Sequence, residues 1–213
     1  MKDQKAYWDG VAAEKICTTP FQIALFQKYV PQSAAILDMG CGYGRILQEL
    51  YLQGYQNTLG VDFSENMIAR GRALYPHLRF EPLSPGGLGY AENSFDAVLL
   101  VAVLTCITGD DAQRAVLGEV YRVLKPRGIV YINDFLLNED ERNTARYQAY
   151  ESLYGMYGIF ELPQGAVLRH HHRAWVKQSL SRFTELEYQE IRYTTMNGHT
   201  SNGYYYLGAT RPI

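Results

Sequence analysis

The sequence predicts an α/β fold on a largely parallel sheet, and three observations lead there. Apolar runs of strand length alternate with amphipathic helical stretches from residue 34 to residue 135. A glycine-bearing bend, Asp38-Met39-Gly40-Cys41-Gly42-Tyr43-Gly44, joins the first such run to the first such helix. Two β-rich runs close the chain after the alternation has stopped. Strand–helix alternation implies right-handed crossovers, which place helices on both faces of a parallel sheet.

Taken in order, residues 3–15 and 21–29 read as two short helices, the second starting after Pro20. Strands are expected at 34–38, 58–62, 79–81, 97–101 and 129–135, and helices at 45–52, 65–74 and 110–124. Ser64 suits the N-cap of the second of these helices, with Met67 and Ile68 opening its apolar face. Pro126 and Gly128 stop the third and launch the next strand. Beyond Phe135 the rhythm changes. Residues 138–157 read as a tyrosine-rich helix, followed by an irregular segment with Pro163 and Gly165 and a short helix at 174–180. Residues 188–195 and 204–210 are strands, and the polar, glycine-bearing loop 196–203 between them makes a hairpin.

Composition narrows the function classes. A chain of 213 residues suits a single α/β domain, with N-terminal helices over 1–30 and an insertion over 138–172. Hydrophobic residues at 47% and charged residues at 20% fit a soluble globular protein. A formal charge of −2 without a basic stripe argues against nucleic acid as a partner. Cys17, Cys41 and Cys106 lie far apart, which is neither a disulfide framework nor a zinc pattern and suits a reducing cytoplasm. No apolar run nears membrane-spanning length, and the opening residues lack the apolar core of a secretion signal. A cytoplasmic protein without a membrane partner is the expectation.

The bend carries the chemistry. Glycine has no Cβ, so the backbone turns tightly and a ligand approaches it closely. The carboxyl end of a strand is where open α/β sheets bind ligands. The nicotinamide-dinucleotide fingerprint needs a glycine at its sixth position, and counting from Gly40 that position is Arg45. The bend with its Asp38 instead resembles the class I S-adenosylmethionine-dependent methyltransferases. So do Glu92-Asn93-Ser94-Phe95-Asp96-Ala97-Val98 before the fourth strand and the aromatic opening Tyr7-Trp8-Asp9. The resemblance spans about residues 30–213 and is strongest over 36–135.

That resemblance implies a Rossmann-like three-layer sandwich with a helical lid insertion. Its seven-stranded, mostly parallel sheet would run in the order 3-2-1-4-5-7-6, the last strand antiparallel. It implies S-adenosyl-L-methionine as cofactor, S-adenosyl-L-homocysteine as product, and no metal. Gly40, Gly42 and Gly44 would lie beneath the methionine part, with Asp38 orienting its ammonium group. Asp62 ends the second strand 22 residues after Gly40, where a carboxylate accepts from both ribose hydroxyls. The plainer account of Asp62 is a charge at the start of the following helix. Phe63 and Met67 flank the adenine or belong to the core, and Val101 closes the fourth strand beside the cofactor. Ser84 stands where many relatives carry an acid for the adenine amino group, so either Ser84 or backbone near Leu88 takes that contact.

On the acceptor side, Thr105 and Cys106 leave the fourth strand and Asp134 ends the fifth. Cys106 lacks the preceding proline of cytosine-C5 enzymes and reads as an inert buried thiol. The Asn/Asp-Pro-Pro-aromatic motif of amino-methylating enzymes is absent too, a second point against nucleic acid. Tyr147, Tyr150, Tyr154 and Tyr157 share a helix face, either as a packing stripe or as a lid over the substrate. His171 and His172 in the His170-His171-His172 run, His199 in the hairpin loop, and Asp134 are the general-base candidates. Asn197 joins His199 on the substrate side. The function expected is in-line methyl transfer to a small molecule. A non-catalytic binder of the cofactor or its product, and an NAD-dependent oxidoreductase, are the alternatives.

Overall fold

Strands form where the chain offers apolar runs. β1 (Ile36–Met39) and β2 (Thr58–Asp62) are buried along their whole length, as central strands covered on both faces must be. In this computed structural model, residues 4–83 and 87–211 are described. β3 (Phe80–Pro82), β4 (Phe95–Val101) and β5 (Leu124–Phe135) complete the parallel set. A separate hairpin, β6 (Ile159–Glu161) with β7 (Val167–Arg169), precedes β8 (Thr184–Thr194) and β9 (Thr200–Ala209). The main sheet runs β3-β2-β1-β4-β5-β9-β8, with β9 antiparallel to both its neighbours. With the small hairpin set aside, this is the order 3-2-1-4-5-7-6 that the resemblance implied.

Successive strand residues point to opposite faces, so each strand feeds two cores. Ile36, Ala97, Leu99 and Tyr131 pack with Phe26 and Leu50, which belong to α2 (Ile23–Tyr29) and α3 (Arg45–Leu52). On the other face Leu37, Val98, Leu100 and Val130 pack with Leu117 and Val120 of the helix Asp110–Val123 and with Val176 of the helix Arg173–Ser179. The N-terminal helix α1 (Gln4–Val11) is shorter than expected. The helix Glu65–Leu74 starts as expected, with the Ser64 hydroxyl accepting from the Met67 N–H at 3.2 Å.

Beyond β5 the details differ from expectation. The tyrosine helix covers Glu141–Tyr154, because Gly155 takes a left-handed φ of +66° and closes it. The segment expected to be irregular holds β6 and β7. Ladder pairing of Thr184 with Ala209 and of Thr194 with Thr200 lengthens the terminal hairpin at both ends. β5 starts earlier than expected because Leu124 pairs with Phe95 before a register shift.

Two glycines of the bend do different jobs. Gly44 (φ +84°) sits where a Cβ would lie 2.4 Å from the Phe80 ring, so its bareness lets α3 close on β3. Gly42 (φ +54°) has nothing within 4 Å of that position. Gly44→Ala is therefore expected to cost about 2–4 kcal/mol, from strain plus overpacking. Gly42→Ala is expected to cost about 1 kcal/mol, from backbone strain alone. Urea unfolding of both variants checks this, and equal losses would contradict it.

Candidate functional site

The carboxyl ends of β1, β2 and β4 open on a cavity of about 1150 Å3. Asp38, Gly40, Gly42, Asp62, Phe63, Met67 and Val101 all line it. The Gly40 N–H donates to Val61 O at 2.8 Å, which ties the bend to β2. Asp62 Oδ2 accepts from the Gly42 N–H and Oδ1 from the Ser64 N–H, each at 2.8 Å. Burial raises the Asp62 pKa, while those two N–H groups pull it down. Each carboxylate oxygen retains capacity for a further donor.

Asp38 is buried, and its Oδ2 has no hydrogen-bond partner among the described residues. Burial pushes its carboxyl up to about 7, against the pull of the nearby Arg45 guanidinium. An orphaned buried acceptor lining a cavity is what a ligand cation would satisfy. Two carboxylates, a bare glycine and the flanking Phe63 and Met67 thus fit an adenosyl ligand that carries a charged amino group.

Two expected cofactor contacts fall elsewhere. Gly44 packs on Phe80 and does not line the cavity. Leu88 is buried in the core with Leu37 and Phe95. Ser84 lies outside the described residues. In turn, Trp8, Thr19 and Arg45 line the cavity although the sequence analysis did not name them as cofactor contacts. Thr19 O accepts from the Arg45 guanidinium, which brings the segment after α1 to the site.

A second cavity of about 730 Å3 adjoins the first. Trp8, Thr19, Ala102, Cys106 and Met196 line both, so the turn after β4 is their common wall. Thr105 and Asn197 line the second cavity as expected substrate contacts would. Ala102 takes a left-handed φ of +58°, and the turn continues into a short 3₁₀ helix, Leu104–Cys106. Asp134 holds that turn: its carboxylate accepts from the Thr105 N–H at 3.2 Å and the Phe135 N–H at 2.8 Å. The Thr105 hydroxyl donates to Arg169 O at 2.8 Å, joining the turn to β7.

The expected bases are not at the cavities. Asp134 is fully buried and lines neither; burial pushes its carboxyl up to about 7, and backbone N–H groups oppose this. His171 also lines neither. Its Nδ1 lies 3.1 Å from Phe135 O and its Nε2 2.8 Å from Gln113 Nε2. Nδ1 therefore donates to the carbonyl and Nε2 accepts from the amide, a neutral ring with both nitrogens engaged. Burial lowers its pKa to about 3, so the 3.9 Å approach to Asp134 is no ion pair at neutral pH. His172 is the exposed N-cap of the helix Arg173–Ser179, its Nδ1 accepting from the Ala174 N–H. His199 is an exposed hairpin residue outside both cavities.

The tyrosine face divides similarly. Tyr147 is buried, with its hydroxyl 2.6 Å from His170 Nδ1. Tyr150 and Tyr154 line neither cavity, and Tyr154 donates to Glu161. The histidine that does face the second cavity is His170. Ala166, Leu168 and His170 line it together, a period-two pattern that extends β7 and that the sequence displays. Among the described residues, no group of three His, Cys, Asp or Glu is placed to hold a metal, and no helix is long and apolar enough to cross a membrane.

The Asp38 carboxyl ties stability to pH. Its ordinary value is 3.8 and its folded value about 7, so the folded state binds this proton more tightly. That contribution is present below pH 4 and is lost as pH rises through 7. Asp38→Asn is expected to shrink the stability drop between pH 5 and pH 8 by on the order of 2–4 kcal/mol. Urea unfolding at the two pH values checks it, and an unchanged drop would contradict it.

Comparison with known proteins agrees with this arrangement. A family model described as a methyltransferase domain matches residues 37–132, from β1 to the middle of β5. An EEF1A lysine methyltransferase of Bos taurus is 35% identical over 108 residues, which cover 44% of this chain and 42% of that protein. The chain also spans less than two thirds of the length of other curated relatives. A solved S-adenosylmethionine-dependent methyltransferase from Methanosarcina mazei superposes with a TM-score of 0.85 at 22% identity, covering 92% of this chain and all of that one. The Burkholderia thailandensis 1,6-didemethyltoxoflavin-N1-methyltransferase, solved with its acceptor and S-adenosylhomocysteine, gives 0.65 at 16% identity, covering 97% and 79%. The match shows a methyltransferase domain over residues 37–132, and the superpositions show that the chain shares the fold of solved S-adenosylmethionine-dependent methyltransferases.

Proposed function

We propose that the chain transfers a methyl group from S-adenosyl-L-methionine to a small-molecule acceptor, across the wall shared by the two cavities. The observation that carries this is the pair of adjoining cavities meeting at Ala102 and Cys106. S-adenosyl-L-methionine, when bound, supplies an activated methyl carbon whose bonding pair passes to sulfur as the acceptor lone pair attacks. Asp62 would accept from the ribose hydroxyls and Asp38 would pair with the ammonium group. Phe63, Met67 and Val101 would pack on the adenosine, while Gly40 and Gly42 keep the floor bare. Thr105 and Asn197 would meet the acceptor.

No carboxylate lines the acceptor cavity among the described residues, and burial holds the Cys106 thiol well above its ordinary value. His170 is kept neutral by burial, which lowers its pKa well below 6.5. The Asn138 N–H donates to the Tyr147 hydroxyl, which in turn donates to His170 Nδ1. In that arrangement Nε2 carries the ring proton and donates to the acceptor, orienting it. The rate then rests on alignment and exclusion of water, not on a protein base.

In this reading residues 1–213 act as one unit in the cytoplasm. Residues 4–30 contribute to the walls of both cavities and residues 138–172 to that of the second, and neither nucleic acid nor membrane is a partner. The solved toxoflavin-precursor enzyme, with its small acceptor beside S-adenosylhomocysteine, supports the acceptor class.

Asp62→Ala is expected to weaken S-adenosylhomocysteine binding by about 1–3 kcal/mol in calorimetry, because two donors lose their acceptor. Unchanged affinity in a folded variant would contradict the ribose role. A metabolite extract incubated with methyl-labelled cofactor is expected to yield a labelled product of low mass. Label found only in macromolecules would overturn the small-molecule reading.

A further inference from the structure

We propose that the acceptor is a small acid, a carboxylate or phosphate on an apolar body, whose anionic group pairs with Arg146. The proposal rests on the second cavity being the acceptor pocket. Lys15, Arg142 and Arg146 line that cavity, and among the described residues no Asp or Glu does. The donor cavity beside it differs, with Asp38 and Asp62 as well as Arg45 in its wall.

Arg146 is the central observation. Its Nε is buried and has no hydrogen-bond partner among the described residues. No carboxylate of the described residues lies within 4.0 Å of it, although other arginines in the chain have such partners. Its guanidinium lies 3.4 Å from the centre of the Phe160 ring, itself buried in the cavity wall. Stacking fixes the plane of the fork; Tyr147 is a side-chain partner of the guanidinium, and Nε is left without one. Arg146 is half-buried and has no carboxylate partner among the described residues, so a bound anion with matching geometry would be favoured there.

Arg142 strengthens the case. It stands one turn before Arg146, so two like charges share a helix face and repel each other. Its own contact is a 4.0 Å approach to Asp140. Lys15 donates to the Tyr7 hydroxyl at 3.2 Å. A ligand anion would relieve that repulsion. A lysine side chain, as the acceptor of a protein methyltransferase, would enter against three positive charges.

The layout also orients the acceptor. The arginines line only the second cavity, whereas Ala102 and Cys106 line both. The anion therefore sits away from the shared wall, and the nucleophilic atom lies at the other end. Phe135, Phe160, Leu162, Ala166 and Leu168 supply an apolar sleeve between the two ends.

Calorimetry on the full chain saturated with S-adenosylhomocysteine tests this with a matched panel: benzoate, phenyl phosphate, benzamide and benzylamine, each with and without a ring hydroxyl. At least one acid is expected to bind about tenfold or more tighter than its amide, with the amine weakest. The carboxylate and phosphate arms distinguish the two anions. Arg146→Gln is expected to abolish the preference for acid, and Arg146→Lys to keep part of it, both with S-adenosylhomocysteine affinity unchanged. Acids binding no tighter than amides on the unaltered protein would overturn the proposal, as would a preference for the amine or one that survives Arg146→Gln. Failure of S-adenosylhomocysteine to bind the unaltered protein would instead sink the donor-cavity reading, and this proposal with it.

Discussion

Two backbone N–H groups, from Gly42 and Ser64, end on the buried carboxylate of Asp62, and the donor side of the molecule is organised around that junction. The first belongs to the loop after β1 and the second to the loop after β2, so one side chain sets the spacing of both. A carboxylate this deep is tolerated because it is partnered twice, and its remaining lone pairs line the cavity. The junction also reaches the N-terminus. The Ser64 hydroxyl donates to Asp9 at 2.7 Å, and the Asn66 N–H donates to the same oxygen. That contact seats α1 so that Trp8 forms part of the wall of both cavities.

The acceptor side depends on a second buried carboxylate. Asp134 grips the turn after β4 by backbone N–H groups, and Thr105 fastens that turn to β7 through Arg169 O. His171 and Gln113 lie behind it, with Trp175 Nε1 donating to Gln113 Oε1 at 2.8 Å. These polar groups are the frame that keeps the wall between the cavities in place. Their burial is the reason they serve as structure: Asp134, His171 and Gln113 line neither cavity.

Much of the sheet was legible in the sequence because its strands are apolar runs bounded by glycine, proline and capping residues. The bend and Asp62 were legible because backbone geometry dictates the residue types there: left-handed φ at Gly40, Gly42 and Gly44, and an acid at a strand end. Spacing alone does not separate a glycine that admits a ligand from one that admits a neighbouring ring, which is the difference between Gly42 and Gly44. The histidine run was opaque for a similar reason. His170, His171 and His172 end up facing the cavity, the frame and solvent, and that division follows from β7 giving way to a helix cap. β6 and β7 are three residues each, too short for their periodicity to stand out from an irregular segment. The tyrosine stripe hid its roles because both packing and substrate contact favour aromatic rings.

The central claim is that one bound cofactor spans the Asp62 junction and presents its reacting centre at the wall between the cavities. A crystal structure with S-adenosylhomocysteine tests it most directly. The account predicts ribose hydroxyls on Asp62, the amino group at Asp38, and the sulfur facing the Ala102–Cys106 wall. A homocysteine arm directed away from the second cavity, or a ligand bound elsewhere on the protein, would contradict it.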